Sequence, residues 1–234
     1  MRLGIITDVH SNLVALDAML QAFEIEQVDA ICCAGDMIGI GPYTEEIVQR
    51  MMQIPNLKCV LGNHELYFLN KNYDSMRDEE REFHKWEHAQ LSSVSEQFIA
   101  ALPKRLDFEV DGITISLLHY AYDKEYLPMI QQPTFVQLEP LFKDVDSQVV
   151  IYGHVHQGSV LHDHNRWFIN VGSLGCPGKD KNTARGGILT IVDSSISYAD
   201  LVVPYAVEEV IKYMEDVNCP AQKTIQRIFY GIEG

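Results

Sequence analysis

The sequence predicts an α/β protein in which two sheets pack on each other as a sandwich. Three observations carry that expectation. Apolar runs and amphipathic segments alternate as β-α-β-α-β over residues 3–61, the pattern of a parallel sheet with covering helices. From residue 106 the pattern turns mostly to β and includes two hairpins, which implies a second sheet. Five apolar runs stop at Asp, Asn or His, endings that suit buried strands whose C-terminal ends open into a crevice.

Taken in order, residues 3–7 form a buried strand that runs into Asp8-Val9-His10. Residues 12–27 follow, with Leu13, Leu16, Met19, Leu20 and Phe23 at helical period. Residues 28–34 make the next strand and end at Gly35-Asp36; residues 44–53 are a helix with Ile47, Val48 and Met51 inward. Strand 57–61 runs into Gly62-Asn63-His64-Glu65. Residues 65–101 are rich in charge and aromatics and show no strand alternation, so two or three helices are expected there, forming an excursion over the crevice.

Beyond Pro103, strand 106–110 turns at Asp111-Gly112 into strand 113–118, which ends at His119. A helix near 134–142 precedes strand 148–152, which runs into Gly153-His154-Val155-His156. Strands 158–162 and 166–171 flank a polar turn, where His162 and His164 are expected in solvent. Residues 186–192 and 196–203 form the last hairpin, and helical segments 206–215 and 221–230 follow. With no internal repeat, low-complexity tract or linker, residues 1–234 are expected to form one domain.

The chain carries 33 acidic against 18 basic residues, a net charge of −15. Such a field repels long polyanions and argues against non-specific binding to DNA or RNA; no membrane partner is expected either. A small phosphorylated substrate remains compatible where local cations offset the field. The five cysteines show no framework spacing and suit reduced, buried thiols. Met1-Arg2 leads straight into a strand, and no apolar run nears the roughly 20 residues of a bilayer span. A cytoplasmic protein is expected.

The strand endings supply a constellation. Asp8, His10 and His156 make a mixed nitrogen and oxygen set for one divalent ion; Asn63, His119 and His154 make a second, and the two oxygens of Asp36 can bridge both. Imidazole with carboxylate and amide oxygen suits Mn, Fe, Zn, Co or Ni, and no thiolate is expected among the ligands. Two such ions, roughly 3.5–4 Å apart, can hold a hydroxide and polarise a phosphoryl group for in-line displacement.

Asp8-x-His10, Gly35-Asp36, Gly62-Asn63-His64-Glu65, His119 and Gly153-His154-x-His156, in that order, resemble the calcineurin-like metallophosphoesterase superfamily. The run 35–42 (GDMIGIGP), Asn170-Val171-Gly172-Ser173-Leu174-Gly175 and Arg185-Gly186 are similar to its small single-domain prokaryotic phosphodiesterase branch. The resemblance implies a four-layer α/β/β/α sandwich of two mixed sheets, the metal ligands named above, and His64 at the scissile phosphate as general acid or charge stabiliser. The implied activity is hydrolysis of a small phosphodiester or nucleotide by attack of a metal-bridging hydroxide. Asymmetric dinucleoside tetraphosphate hydrolysis is the alternative, and a non-catalytic scaffold on the same fold is a third reading. Substrate contacts are expected from Asn12, Tyr67, Asn170, Ser173 and Arg185, with Tyr67, Phe68 and Tyr73 as stacking faces. Ser11, Tyr120 and Val171 stand where the branch has Gly, Gly and Pro. These departures remove no ligand, but Tyr120 adds bulk beside the second metal.

His84-Lys85-Trp86-Glu87-His88 fits the H-x-x-E-H pattern of single-zinc proteases, with both histidines on one helix face. A protease would leave the strand-end constellation unexplained, so histidines that face solvent or line the pocket are expected instead. The acidic run 78–82 is expected to be a solvated face.

Overall fold

The computed structural model describes residues 1–71, 73, 76–121, 129–180 and 182–232. Residues 72, 74 and 75 of the expected excursion lie outside it. Two mixed five-stranded sheets carry the fold. In the first, β1 (Arg2–Ile6), β2 (Ala30–Cys33) and β3 (Leu57–Cys59) run parallel, and β9 (Thr183–Val192) and β10 (Ser195–Pro204) add antiparallel to β1, giving the order β10-β9-β1-β2-β3. The second joins β4 (Arg105–Val110), β5 (Ile113–Leu118), β6 (Val149–Ile151), β8 (Trp167–Asn170) and β7 (Ser159–His162) in that spatial order. There β5, β6 and β8 run parallel, and the two edge strands pair antiparallel.

Alternation decides the layers. Successive strand side chains point to opposite faces, so Leu3 and Ile5 meet Ile115, Leu117, Val149 and Ile151 in a core between the sheets. Ile6 faces the other way, onto α1 (Leu13–Ile25) and α2 (Thr44–Met52), joined by α7 (Val207–Asp216) and α8 (Gln222–Phe229). On the far side, Val150, Tyr152 and Phe168 pack under α6 (Phe135–Leu141). Helices therefore cover both outer faces, as expected.

Among the described residues the excursion is three helices: α3 (Asn63–Asn70), α4 (Asp78–His88) and α5 (Ser93–Ala101). β3 stops two residues earlier than the expected 61, because Val60 and Leu61 leave the strand to turn toward the crevice; Val60 N–H still reaches Cys33 O. All five cysteines are buried and unpaired, and no helix among the described residues is long and apolar enough to cross a membrane.

The docking of α1 depends on one close contact. A Cβ at Gly4 would sit 2.9–3.0 Å from the ring of Phe23, which is 1% exposed. Phe23→Ala should leave a cavity there and cost about 3–5 kcal/mol, roughly 6–20 °C in Tm for a chain of this size. A thermal melt unchanged within a degree would show that α1 is not held by this ring.

Candidate metal centre

Six strand ends deliver the site. Asp8 and His10 follow β1, Asp36 follows β2, Asn63 and His64 follow β3, His119 follows β5, His154 and His156 follow β6, and Asn170 closes β8. The chain turns sharply at these ends, and Asp8, His10, Ser11, Asp36 and His154 all take left-handed backbone angles, with φ between 48° and 69°. Non-glycine residues rarely adopt that region, which costs of order 1–3 kcal/mol each, and such strain gathers at functional sites.

The first group of donors is Asp8, His10 and His156. Asp8 Oδ2 accepts from the Thr7 hydroxyl and from His154 N–H, at 2.7 and 3.0 Å. Its Oδ1 is buried with no hydrogen-bond partner among the described residues. That oxygen lies 3.6 Å from His10 Nε2 and 3.5 Å from His156 Nε2, and the two imidazole nitrogens are 3.0 Å apart. His10 Nδ1–H donates to Ile38 O, which leaves Nε2 as the free lone pair.

The second group is Asp36, Asn63, His119 and His154. Asn63 Oδ1 lies 2.8 Å from His154 Nδ1 and 3.1 Å from His119 Nε2, and Asp36 Oδ2 lies 3.2 Å from His119 Nε2. His119 Nδ1–H donates to Ala34 O at 2.7 Å, again fixing the tautomer. Asp36 belongs to both neighbourhoods, since its carboxylate also lies within 4.8 Å of ligand atoms of His10 and His64. The structure thus brings Asp8, His10, Asp36, Asn63, His119, His154 and His156 together.

These donors fit divalent ions. A cation about 2.0–2.2 Å from each ligand keeps neighbouring ligands at about 3–3.6 Å, the spacing seen in both groups. The charges agree. Burial pushes the Asp8 carboxyl up, but the neighbouring imidazoles of His10 and His156 and the charge of His119 outweigh it and hold Asp8 well below the usual range. Asp36 is held low as well: burial opposes its ionisation, and His119 and His64 overcome it. Burial pulls His119 down, yet the neighbouring Asp36 lifts it to about 10. Both carboxylates are therefore ionised, the form in which they can hold a cation.

Several neighbours of the site were not among the expected residues. Glu65, fully buried at the third position of α3, accepts from Gly62 N–H at 2.7 Å and from Asp36 and Ile38 N–H at 3.0 Å each. Burial and the charge of Asp36 push its carboxyl up to about 7. A Cβ on Gly62 would overlap the Asp36 carboxylate, so only glycine lets α3 start this close. An acidic residue three positions after a helix-starting glycine was a legible signal. Cys176, not among the expected site residues, lies close by: its sulfur is within 4.8 Å of ligand atoms of His10 and His156, and burial keeps the thiol protonated, so it offers no thiolate.

The expected substrate contacts divide. Ser173 and Arg185 line a cavity of about 1060 Å³ over the centre. Ser173 Oγ also donates to Asp8 O, and Arg185 pairs with Asp180 at 2.8 Å. Asn12 and Asn170 are buried in the backbone beneath. Asn12 caps α1 and donates to Gly175 O; Asn170 donates to Val155 O and accepts from Gly172 N–H. Tyr67 packs edge-on against His64, with ring centroids 5.7 Å apart, and is not among the residues lining the cavity. Phe68 is 5% exposed in the helical core, so its ring faces are not available for stacking; the Tyr73 hydroxyl meets His88. Instead, Phe83 and His84 of α4 and Ile225, Ile228 and Phe229 of α8 form the outer wall. His162 is exposed, with its ring stacked on Trp167.

Two mixed sheets whose strand ends converge on paired nitrogen and oxygen donor groups define a metal-binding α/β sandwich. The chain belongs to the calcineurin-like phosphoesterase superfamily, whose domain profile matches residues 1–194. It is 26% identical over 227 residues to an uncharacterized protein of Methanocaldococcus jannaschii, covering 90% of this chain and 92% of that one. The crystal structure of a metallophosphoesterase from Sphaerobacter thermophilus is similar, with TM-score 0.75 and 25% identity over 99% of this chain and 100% of that one. A hypothetical protein of Pyrococcus horikoshii OT3 shares the fold, with TM-score 0.84 and 13% identity over 100% and 99% of the two chains.

Glu65→Gln tests the support beneath the ligands. Either orientation of the new amide turns an NH₂ group toward backbone N–H donors. Metal affinity, measured by competition with a chelator, should fall about 10–100-fold with every ligand intact. Unchanged affinity would show that the Gly62 and Asp36 loops hold their shape without the carboxylate.

Proposed function

We propose that this chain is a dinuclear metal-dependent phosphoesterase that hydrolyses a small phosphodiester or nucleotide in the cytoplasm. One observation carries the reading: Asp36 joins two donor groups, and the His64 ring stands beside them on the cavity wall. When bound, the ions, with manganese among the candidates, supply Lewis-acid polarisation of the phosphoryl group and an acidified water. The protein supplies position. Asp36 Oδ1 accepts from His64 N–H at 2.9 Å, which ties the His64 backbone to the shared carboxylate. The His64 ring meets the His10 ring edge-on at 5.0 Å, over the first donor group.

Burial holds the His64 imidazole well below its usual value, so the free site presents it neutral at pH 7. An incoming phosphate anion opposes that shift. His64 then takes up a proton as substrate binds and can hand it to the leaving oxygen. The complete donor set and His64 favour catalysis over a scaffold that has lost its chemistry.

The cavity supports this substrate class. At about 1060 Å³ it is far larger than a phosphate, and its outer wall is apolar along α8. Arg77 and Arg185 at its rim are cationic side chains of its lining, each beside a carboxylate, Glu80 and Asp180. A phosphoryl group with an organic substituent on each side fits that shape. A dinucleoside polyphosphate is the second reading, favoured by the volume alone.

His64→Ala should keep fold and metals while turnover of bis(p-nitrophenyl) phosphate falls about 10²–10⁴-fold. Loss of metal along with activity would make His64 a ligand. Ile228, half exposed on the cavity wall, separates the substrate classes. Ile228→Ser should lower kcat/KM for a nucleotide phosphodiester about tenfold, or 1.4 kcal/mol, and leave p-nitrophenyl phosphate unaffected. Equal losses on both would remove α8 from substrate recognition.

A further inference from the structure

We propose that the chain carries a third divalent-cation site, separate from the Asp36-centred pair, formed by His84 Nδ1, Glu87 Oε2 and His88 Nε2 on one face of α4. The run 84–88 sets these side chains at i, i+3 and i+4, which one helical turn brings together. Their ligand atoms lie within 4.8 Å of one another. Glu87 Oε2 is 3.1 Å from His84 Nδ1 and 3.6 Å from His88 Nε2. An ion about 2.0–2.2 Å from each donor needs that spacing, so little has to move. The three side chains are 2%, 0% and 7% exposed, so water does not satisfy them.

Two of the three ligands are also fixed from behind. Gly39 N–H donates to Glu87 Oε1, and the Tyr73 hydroxyl and His88 Nδ1 share a hydrogen bond of 2.6 Å. Those bonds leave Glu87 Oε2 and His88 Nε2 turned toward each other, as outer partners do for metal ligands. His88 Nε2 is buried with no hydrogen-bond partner among the described residues. Such a nitrogen is costly to leave unsatisfied, and a cation between it and the carboxylate removes the cost. Two imidazoles and one carboxylate suit zinc and the neighbouring first-row ions.

The ion is structural. It fixes the Glu87 carboxylate, whose other oxygen accepts from Gly39 N–H; the His64 ring lies so close to that turn that a Cβ at Gly39 would overlap it. The His84 and His64 rings are 5.3 Å apart, so the tie steadies the wall beside His64.

The test is anomalous diffraction at the zinc edge on crystals of the full chain grown with Zn²⁺, alongside metal analysis of the same protein after dialysis. The expected result is a peak among residues 84, 87 and 88 besides those at Asp36, with three ions per chain. His88→Ala should lose the α4 peak and keep two ions; Glu87→Gln serves if that variant does not fold. Asp36→Ala should empty the pair and keep the α4 ion, a result independent of whether the pair is catalytic. No α4 peak in a crystal whose Asp36 centre is occupied would overturn the proposal. So would equal zinc content in the wild type and in a folded His88→Ala or Glu87→Gln.

Discussion

Two carboxylates, Asp8 and Asp36, must stay ionised where almost no solvent reaches them, and the rest of the structure answers to that constraint. A buried charge is tolerated only when hydrogen bonds and opposite charge surround it. Here the hydrogen-bond donors come from the backbone of His154 and His64 and the hydroxyl of Thr7, and the His119 ring lies beside Asp36. They arrive from strand ends in both sheets. The sandwich is therefore the device that brings them to one place, and its dry inter-sheet core fixes the distance between them.

The left-handed turns at Asp8, His10, Asp36 and His154 are strained on their own. They persist because bonds between different strand ends determine them. His10 N–H reaches Asp36 O, Asp8 N–H reaches Gly35 O, and Leu174 and Gly175 donate to Thr7 and Asp8 carbonyls. The energetic cost of gathering the ligands is thus met during folding. A bound cation finds its donors at ligand spacing and needs little rearrangement, which is the condition for a preorganised site.

The helical layer does different work. α4 and α8 stand outside the sheets and turn an open crevice into a walled cavity. They meet through the Thr224 hydroxyl, which donates to Glu79 at 3.0 Å, and through apolar packing in the helical core. α3 starts at the donor residue Asn63, and Glu65 in its first turn accepts from Gly62 N–H, so the excursion is joined directly to the centre.

Most of the fold was legible in the sequence because its signals are local. Period-2 alternation in residues 113–117, the continuous apolar run 149–152 and period-3.6 spacing in residues 12–27 each identify an element without reference to any other. The donor set was legible too, since an apolar run that ends in Asp8, Asp36, Asn63, His119 or His154 marks a strand end wherever the strand is placed. What the tertiary structure decided depends on segments far apart in the chain. The sequence did not indicate that Phe68 turns into the core rather than the crevice, or that Cys176 lies beside His10. The contact of Thr224 with Glu79 spans 145 residues. A helix's own periodicity says which side is apolar, but only the neighbour it packs against decides whether that side closes a core or lines a cavity.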